Sequence, residues 1–492
     1  MNTLDVSRWQ FGITTVYHFL FVPLTIGLAP LVAIMQTAWH RTGNPAWYRL
    51  TKFFGKLFLI NFALGVVTGI VQEFQFGMNW SAYSRFVGDV FGAPLAIEGL
   101  AAFFIESTFL GLWIFGWDRL PKRIHLVCIW MVAIGVNLSA YFILAANSFM
   151  QHPVGVTFNP TSGRAELTSI SKMLTNPTAL ITFPHTIAGA FLVAGAVVLA
   201  ISAWHLARVQ PDTDTFRRSL RVGMATVLIA GVAVTLSGHV QAQIMTEQQP
   251  MKMAAAEALC STETGAGFSL LAIGSINGSC DEVKSLTVPG LLSFLSTNST
   301  SGTVQGIKEL QAQAVAKYGP GDYVPSLPVT YWSFRLMIGL GMLSILVALL
   351  GVWVFRRGRS PSGRWYARLA VLVSVAPFLA NSFGWIFTEM GRQPWVVVPN
   401  PTGLAAVRLL TKDGVSPTVG VGTVLTSLIA FTLVYGLLAV VELTLFLRYA
   451  KAGPLPEPAR DHGSDHDHGS DHDHGSDHEG DSDERRPMAF AY

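Results

Sequence analysis

The chain has 492 residues, of which 51% are hydrophobic and only 13% are charged. Soluble proteins carry about 25% charged residues, so this composition excludes an ordinary soluble enzyme and predicts a polytopic membrane protein. The net charge of +3 has two unequal parts, because eleven acids and one base lie between residues 457 and 484, which leaves 19 acids and 32 bases elsewhere. We interpret this excess of positive charge as a marker of membrane topology rather than of nucleic-acid binding.

Nine stretches are apolar enough over about 20 residues to cross a bilayer. Each is predicted to be a helix, because hydrocarbon offers the backbone no water to bond to, and the fold class is therefore an all-α polytopic membrane protein. The first stretch lacks a short apolar core followed by a small-residue cleavage site, so it is predicted to be retained. The predicted spans are 14–37, 53–73, 93–117, 124–147, 180–207, 220–241, 329–355, 366–388 and 420–447.

The distribution of Lys and Arg predicts the orientation of the spans. The loops after spans one, three, five and seven, and the segment after span nine, are the richer in these residues, with the densest cluster at Arg356. The positive-inside rule then puts the N-terminus outside and the C-terminus in the cytoplasm. The chain divides into a six-helix membrane segment (1–241), an external loop (242–328), a three-helix membrane segment (329–450) and a tail (451–492).

The external loop is too long for a plain connection, and loops of this size are functional or disordered. Residues 251–259 and 304–318 have helical composition, and the stretch between them is rich in Gly, Ser and Asn. An oxidising external location favours a disulfide between Cys260 and Cys280, with two free thiols as the alternative. Cys128 lies in an apolar span and is expected to be inert packing.

The tail is of low complexity, with a repeated hexad close to GSDHDH that sets six histidines among aspartates between residues 462 and 478. Such a segment cannot bury a core and is predicted to be disordered. Histidine tracts bind divalent transition metals loosely. A solvated or metal-scavenging tail is therefore favoured over a catalytic one.

Residues 91–117 form a span that carries two carboxylates, Glu98 and Glu106. An acid at the bilayer centre costs at least about 2.5 kcal/mol, so both acids are functional candidates. On a regular helix, residues at this spacing lie about 12 Å apart along the axis and about 80° apart around it. This geometry predicts relay stations rather than two arms of one clamp.

Histidines near the outer ends of spans one and five are candidate metal ligands. His18 and His185 are each as compatible with a hydrogen-bonded core histidine as with a ligand, but the small residues 188–190 beside His185 leave room for a flat group. Met337 would ordinarily be packing. Arg335 beside it needs an anion, which haem propionates would supply, and His/Met ligation raises a haem's reduction potential relative to a lone His.

Glu389 and Arg392 at the outer end of span eight are predicted to form an i, i+3 ion pair, and Pro394 then forces a turn. With the predicted orientation, the candidate ligands fall in the outer third of the membrane and Glu106 lies behind them. We interpret this arrangement as a redox layer supplied with protons from the cytoplasm, although spacing alone does not identify haem. The outer-layer residues are His18, His185, Met337, Glu389 and Glu98.

Seven segments together resemble subunit I of cytochrome bd quinol oxidases, and they cover spans one to nine and the start of the external loop. The segments are YHFLFVPLT, KLFLINFALGVVTGIVQEFQFGMNWS, GDVFGAPLAIEGLAAFFIESTF, FGWDRL, FPHTIAGAF, FRLM and GRQPW. The resemblance implies the haem-bearing catalytic subunit of a respiratory terminal oxidase, a quinol:oxygen oxidoreductase, in a bacterial inner (plasma) membrane. Its implied cofactors are two haems b, one low-spin and one high-spin, and one haem d.

The resemblance also implies ligands for each haem. His185 and Met337 match the axial ligands of the low-spin haem b, with Arg335 beside its propionates. His18 matches the ligand of one high-spin haem and Glu389 that of the other. Which of these two sites holds haem d differs between family members and is left open.

Further roles follow for residues around these ligands. Glu98 matches a ligand or proton donor at the oxygen-reacting haem. Glu106, with Ser107 and Ser139, matches the family's proton channel, and Trp385 matches a residue between haems. Each role is carried over from the family's motifs.

The external loop resembles the family's short quinol-binding "Q loop". Lys252 and Glu257 match its quinol-oxidising pair, in which a carboxylate takes a proton as general base and a lysine stabilises the quinol oxygen as it becomes anionic. Arg392 of GRQPW is counted with the cofactor-binding residues. The tail has no counterpart in the family pattern.

The implied reaction oxidises quinol at the outer face and reduces O2 to water with protons from the cytoplasm, so that turnover builds a proton gradient without a pump. The implied partners are a homologous membrane subunit II and small single-span subunits, and no nucleic acid is expected. Without the resemblance, intramembrane Glu and His also suit a proton-coupled secondary transporter. A non-catalytic cytochrome b anchor is the third alternative.

Overall fold

The computed structural model describes residues 2–208, 213–273, 280, 284–356 and 364–454, and within them nine helices are long and apolar enough to cross a membrane. This number confirms the nine predicted spans; the predicted orientation stays a prediction, and residues 455–492 of the predicted tail lie outside the described residues. Seven spans are single helices: α1 (Thr3–Thr42), α2 (Pro45–Gly77), α5 (Lys122–Gln151), α7 (Pro177–Leu206), α8 (Thr213–Gln248), α12 (Leu327–Phe355) and α16 (Val421–Ala452).

Local signals set the ends of the first two helices. The Asn2 side chain accepts from the backbone N–H of Asp5, and the Asp5 carboxylate accepts from that of Asn2, so that α1 begins with a capping box. Gly43 ends α1 in the left-handed conformation, with φ of 65°. Asn44 then caps α2 and Pro45 takes its first position. This short connection makes α1 and α2 a hairpin.

The third span is interrupted, so the prediction of a regular helix there is wrong. It consists of α3 (Ser81–Ile97), a π-helical turn (Glu98–Phe103) and α4 (Phe104–Phe115). A π turn holds about one residue more than an α turn, so about 100° of rotation is lost across it. The angle between Glu98 and Glu106 therefore falls from about 80° to about 20°.

The eighth span also has two parts, α13 (Trp365–Val373) and α14 (Ala376–Met390), where one helix was predicted. Pro377 lies in the first turn of α14. Its ring has no N–H and would clash with the carbonyl of Val373 in a continuous helix, so the chain turns before it.

Helices α1 and α7 are the most buried spans and form the centre of the bundle. Gly27 permits their close approach, because a Cβ there would lie 2.4 Å from the Ala190 carbonyl oxygen. The buried Cys128 packs in the same apolar core and is a free thiol, as expected.

The loop between α8 and α12 is ordered around two short helices that match the two helical pieces predicted there, α9 (Pro250–Glu257) and α11 (Ile307–Tyr318). Cys260 and Cys280 form a disulfide with a Cα–Cα distance of 5.5 Å. The loop also contains β3 (Glu263–Thr264) paired with β6 (Thr303–Val304), β4 (Phe268–Ile273) paired with β5 (Lys284–Val288), and α10 (Leu291–Thr297), all strand pairs being antiparallel.

Two further hairpins close the same end of the bundle. The first is β1 (Val156–Asn159) with β2 (Arg164–Leu167), followed by α6 (Ile170–Leu174). The second is β7 (Trp395–Val397) with β8 (Leu409–Leu410), followed by α15 (Thr411–Gly414).

Candidate active-site cavity

A cavity of about 700 Å³ lies among α1, α2, the π turn, α5 and α14. Most of its wall is apolar, which makes the few polar side chains facing it conspicuous. Six residues singled out from the sequence line it: His18, Glu98, Glu106, Ser139, Trp385 and Glu389.

His18 is held from the side of α2. Its Nδ1 lies 2.9 Å from Oγ1 of Thr68, and that hydroxyl also lies 3.0 Å from the carbonyl oxygens of Leu64 and Gly65. A Cβ on Gly69 would lie 3.1 Å from Cε1 of His18. The ring therefore sits against a glycine and leaves its other edge to the cavity.

Glu98 and Glu106 both face the cavity, as the π turn allows. Ser139 of α5 donates a 2.6 Å hydrogen bond to Oε1 of Glu98. Glu106 is only 7% exposed, and its Oε1 has no hydrogen-bond partner among the described residues. Gly135 makes space for it, because a Cβ there would lie 2.8 Å from Cγ of Glu106. Glu106 is thus a buried acid without a fixed partner at one oxygen.

Ser107 is not brought to the cavity. It is exposed on the outer face of α4, and its hydroxyl donates to the Phe103 carbonyl of its own helix at 2.8 Å. The structure therefore separates it from Ser139, with which it was grouped.

Glu389 is fixed on both oxygens. Asn147 of α5 donates to its Oε1 at 2.9 Å, and Arg392 forms an ion pair with its Oε2. The predicted i, i+3 pair is therefore present. Arg392 also donates to the Val396 carbonyl in the turn that follows, so the GRQPW segment orients the carboxylate.

His185 and Met337 do not line this cavity. Nδ1 of His185 lies 3.0 Å from Oγ of Ser237, and a Cβ on Gly238 would lie 3.3 Å from its Cε1. Met337 has a glycine beside it as well, since a Cβ on Gly384 would lie 3.1 Å from its Sδ. Each side chain therefore packs closely against a glycine, where a Cβ would crowd it.

Arg335 joins span seven to the loop helix α9. Its Nη2 donates to Oε2 of Glu257 at 2.7 Å, and the guanidinium lies over the rings of Phe268 and Tyr331. Its Nε and Nη1 are buried and have no partner among the described residues. Burial raises the pKa of Glu257 to about 7, although Arg335 and the backbone N–H of Ser269 oppose the shift.

Lys252, the other residue that matches the family's quinol-oxidising pair, points away from Glu257. Two residues five apart on a helix lie about 140° apart around it. Nζ of Lys252 donates to Oε1 of Gln151 at 3.3 Å and to the Thr388 carbonyl at 3.1 Å. Burial lowers its pKa to about 7, and the carboxylate of Glu389 opposes this shift.

Several residues of the site were missed from the sequence. Glu73 lines the cavity and carries the same signal as Glu98, an acid in an apolar span. Asn147, Thr68 and Ser237 contact candidate ligands, but neutral polar residues in spans give no comparable energetic signal.

The fold and cavity define a helical membrane protein in which histidine and carboxylate side chains converge within the spans. A family model described as cytochrome bd terminal oxidase subunit I matches residues 6–454. The chain is 49% identical over 456 residues to cytochrome bd ubiquinol oxidase subunit 1 of Bacillus subtilis (strain 168), covering 92% of this chain and 94% of the relative.

The chain is also 37% identical to cytochrome bd-II ubiquinol oxidase subunit 1 of Escherichia coli (strain K12), covering 92% of this chain and 97% of the relative. The structure of bd oxidase from Geobacillus thermodenitrificans superimposes with a TM-score of 0.81 at 28% identity, covering 92% of this chain and 99% of that one. The chain belongs to the cytochrome bd terminal oxidase subunit I family. It is a terminal oxidase catalytic subunit and a multi-pass protein of a bacterial membrane.

Proposed function

We propose that this chain binds haem, oxidises quinol at the outer face of the membrane and reduces O2 to water with protons from the cytoplasm. The observation that carries the proposal is the cavity onto which His18, Glu98, Glu106 and Glu389 converge. The named ubiquinol oxidases among its relatives support quinol as the electron donor.

The residues present fit haem. A cavity of about 700 Å³ with apolar walls suits a large flat group, and glycines flank the candidate ligands where a Cβ would intrude. Haem brings the electron-transfer and oxygen chemistry, and the protein sets ligation, burial and proton access. We assign His18 to one high-spin site and Glu389 to the other. One of these sites would hold haem d and the other a haem b.

The low-spin haem b is assigned to His185 and Met337. Arg335 supports this assignment, because its buried Nε and Nη1 have no partner among the described residues and are available to a propionate. Trp385 lines the main cavity and lies edge-on to Phe19 at 5.1 Å, which suits a packing position between haems.

Quinol oxidation is assigned to α9. Glu257 accepts a proton from quinol as general base, and its raised pKa matches that task near neutral pH. Lys252, on a different face of the same helix, stabilises the quinol oxygen as it becomes anionic. Arg335 holds the carboxylate in place through its 2.7 Å contact.

Protons for O2 reduction pass from Glu106 to Glu98. Oε1 of Glu106 supports a carrier role, since no described residue bonds it, whereas Ser139 holds Glu98 at the cavity wall. O2 reduction takes protons from the cytoplasm, and quinol oxidation releases protons outside. Turnover therefore builds a proton gradient. A homologous membrane subunit II completes the enzyme, with small single-span subunits as further partners.

The test is an absorption spectrum of the purified complex, with haem typing by pyridine haemochrome and measurement of quinol-dependent O2 uptake. We expect bands of a low-spin haem b, a high-spin haem b and a haem d, and O2 uptake that requires quinol. A complex with no haem bands would refute the proposed function. Haem bands without quinol-dependent O2 uptake would reduce the chain to a cytochrome b anchor.

A further inference from the structure

Two helix hairpins present their histidines in the same way. His18 on α1 faces Thr68 and Gly69 on α2, and His185 on α7 faces Ser237 and Gly238 on α8. In both cases a hydroxyl residue is followed directly by a glycine on the next helix of the chain. We call each pair, Thr68-Gly69 and Ser237-Gly238, a hydroxyl–glycine clamp.

The hydroxyl of each clamp can donate one hydrogen bond, and a backbone carbonyl is in position to accept it. Oγ of Ser237 donates to the Ala233 carbonyl at 2.7 Å, and Oγ1 of Thr68 donates to that of Leu64 at 3.0 Å. With its proton used there, a hydroxyl oxygen can only accept from the imidazole. Nδ1 of the histidine must then carry the proton.

With Nδ1 protonated, the lone pair of each neutral imidazole is left on Nε2.

The glycine of each clamp fixes how closely the ring approaches. A Cβ would lie 3.1 Å from Cε1 of His18 at Gly69 and 3.3 Å from Cε1 of His185 at Gly238. Both distances are shorter than an ordinary van der Waals contact of about 3.5–4.0 Å, so any side chain there would displace the ring. Hydroxyl and glycine together leave one ring orientation.

We propose that Thr68 and Ser237 are positioning residues that hold His18 and His185 as Nδ1–H tautomers and present Nε2 to iron. The inference rests on the proposed function, because iron is the group that Nε2 would bind. A hydrogen bond of this kind fixes the tautomer and orientation of a ligating histidine and raises its basicity, and its loss costs about 10- to 100-fold in metal affinity. Each clamp serves its own haem.

The experiment compares redox titrations and haem content of the purified complex for Ser237→Ala and Thr68→Val. A less basic ligand stabilises ferric iron less, so the midpoint potential should become more positive and haem should be lost more readily. Ser237→Ala should act on the low-spin haem alone, and Thr68→Val on a high-spin haem alone. The hydroxyl-retaining variants Ser237→Thr and Thr68→Ser should restore wild-type potentials.

Matched controls lie on the same helices. Thr235 of α8 and Thr51 of α2 bond their own helix carbonyls at 2.8 Å and contact neither histidine. Thr235→Val and Thr51→Val should leave every potential unchanged. Ser237→Cys provides a second test in case Ser237→Ala fails to assemble. A thiol is a weak acceptor, so the midpoint potential of the low-spin haem should shift by an intermediate amount.

The glycine half of the clamp has its own variants. Gly69→Ala and Gly238→Ala should lower haem content at the high-spin and low-spin sites respectively, whereas Gly436→Ala, at a position with no atom within 4 Å of the added Cβ, should not. Unchanged potentials in the hydroxyl-free variants, or equal shifts in Ser237→Ala and Ser237→Thr, would overturn the proposal. A wild-type complex without haem would instead refute the proposed function.

Discussion

Glu257 and Arg335 form a buried ion pair with an N···O distance of 2.7 Å, which ties the loop helix α9 to span seven two residues before Met337. Only 4% of Glu257 is exposed. The residue that pairs with the proposed proton acceptor for quinol and the proposed low-spin haem ligand are therefore two residues apart on one helix. Removing one partner of such a pair leaves an uncompensated buried charge, which is strongly destabilising.

Quinol oxidation should depend on the charge of Glu257. Burial raises its pKa to about 7, and a general base works only when deprotonated. The rate of quinol oxidation should therefore fall as the pH drops below about 7 and level off above it. Glu257→Gln should remove this inflection and lower the rate by about 10²- to 10⁴-fold.

The measurement is quinol-dependent O2 uptake as a function of pH. Glu263→Gln, which alters an exposed acid in the same loop, is the control and should keep the wild-type profile. O2 uptake with an artificial donor that bypasses the loop should persist in Glu257→Gln. An unaltered pH profile in that variant would mean that another group takes the proton.

Met337→Leu should abolish or shift the low-spin haem signal and spare the high-spin haems, because a thioether ligand is replaced by a side chain of similar volume that cannot bind iron. Met342→Leu, at an exposed methionine of the same helix, is the matched control. Reduced-minus-oxidised spectra report each haem separately. A normal low-spin band in Met337→Leu would remove this residue from the ligand set.

Sequence reasoning succeeded where an energetic penalty or a length requirement leaves a strong mark. Apolar stretches long enough to cross a bilayer predicted the nine helices. An acid such as Glu98 or Glu106 stands out because burying it in a membrane is costly. The helical composition of residues 251–259 likewise predicted α9. In each case the signal lies in a few neighbouring residues.

Features that depend on where one helix meets another could not be predicted. The π turn at Glu98–Phe103 has no distinctive composition, yet it turns both acids towards one cavity. Lys252 and Glu257 were grouped because they match the family's quinol-oxidising pair, but on the helix they contact different neighbours. The clamps were missed because a hydroxyl residue before a glycine is an ordinary pair of residues in a span.

Glu106→Gln should keep all haem bands and slow O2 reduction by about 10²- to 10⁴-fold, since an amide cannot carry a proton. Gly135→Ala should have a related effect, because its Cβ would lie 2.8 Å from Cγ of Glu106 and displace the carboxyl. The measurement is O2 uptake under saturating quinol, together with the spectrum. Asp89→Asn changes an exposed acid of the same span and should behave as wild type. Rapid turnover in Glu106→Gln would require another proton path.

Ser139→Ala and Ser107→Ala should differ, although the sequence grouped the two serines. Ser139 donates to Glu98 at 2.6 Å across helices, and removing one partner of a buried hydrogen bond costs about 1–3 kcal/mol. Its loss should slow O2 reduction by about 10- to 100-fold while the haem spectrum changes little. Ser107 is exposed and bonds its own helix, so its removal should change the rate by less than about twofold.

O2 uptake by the two variants, measured in the intact complex with the haem content matched, decides between these outcomes. Ser139→Thr retains a hydroxyl and should recover most of the wild-type rate if donation to Glu98 is what matters. An equal loss in Ser107→Ala and Ser139→Ala would mean that the proton path runs along the exposed face of the span as well as through the cavity. A loss in Ser107→Ala alone would remove Ser139 and its bond to Glu98 from the path.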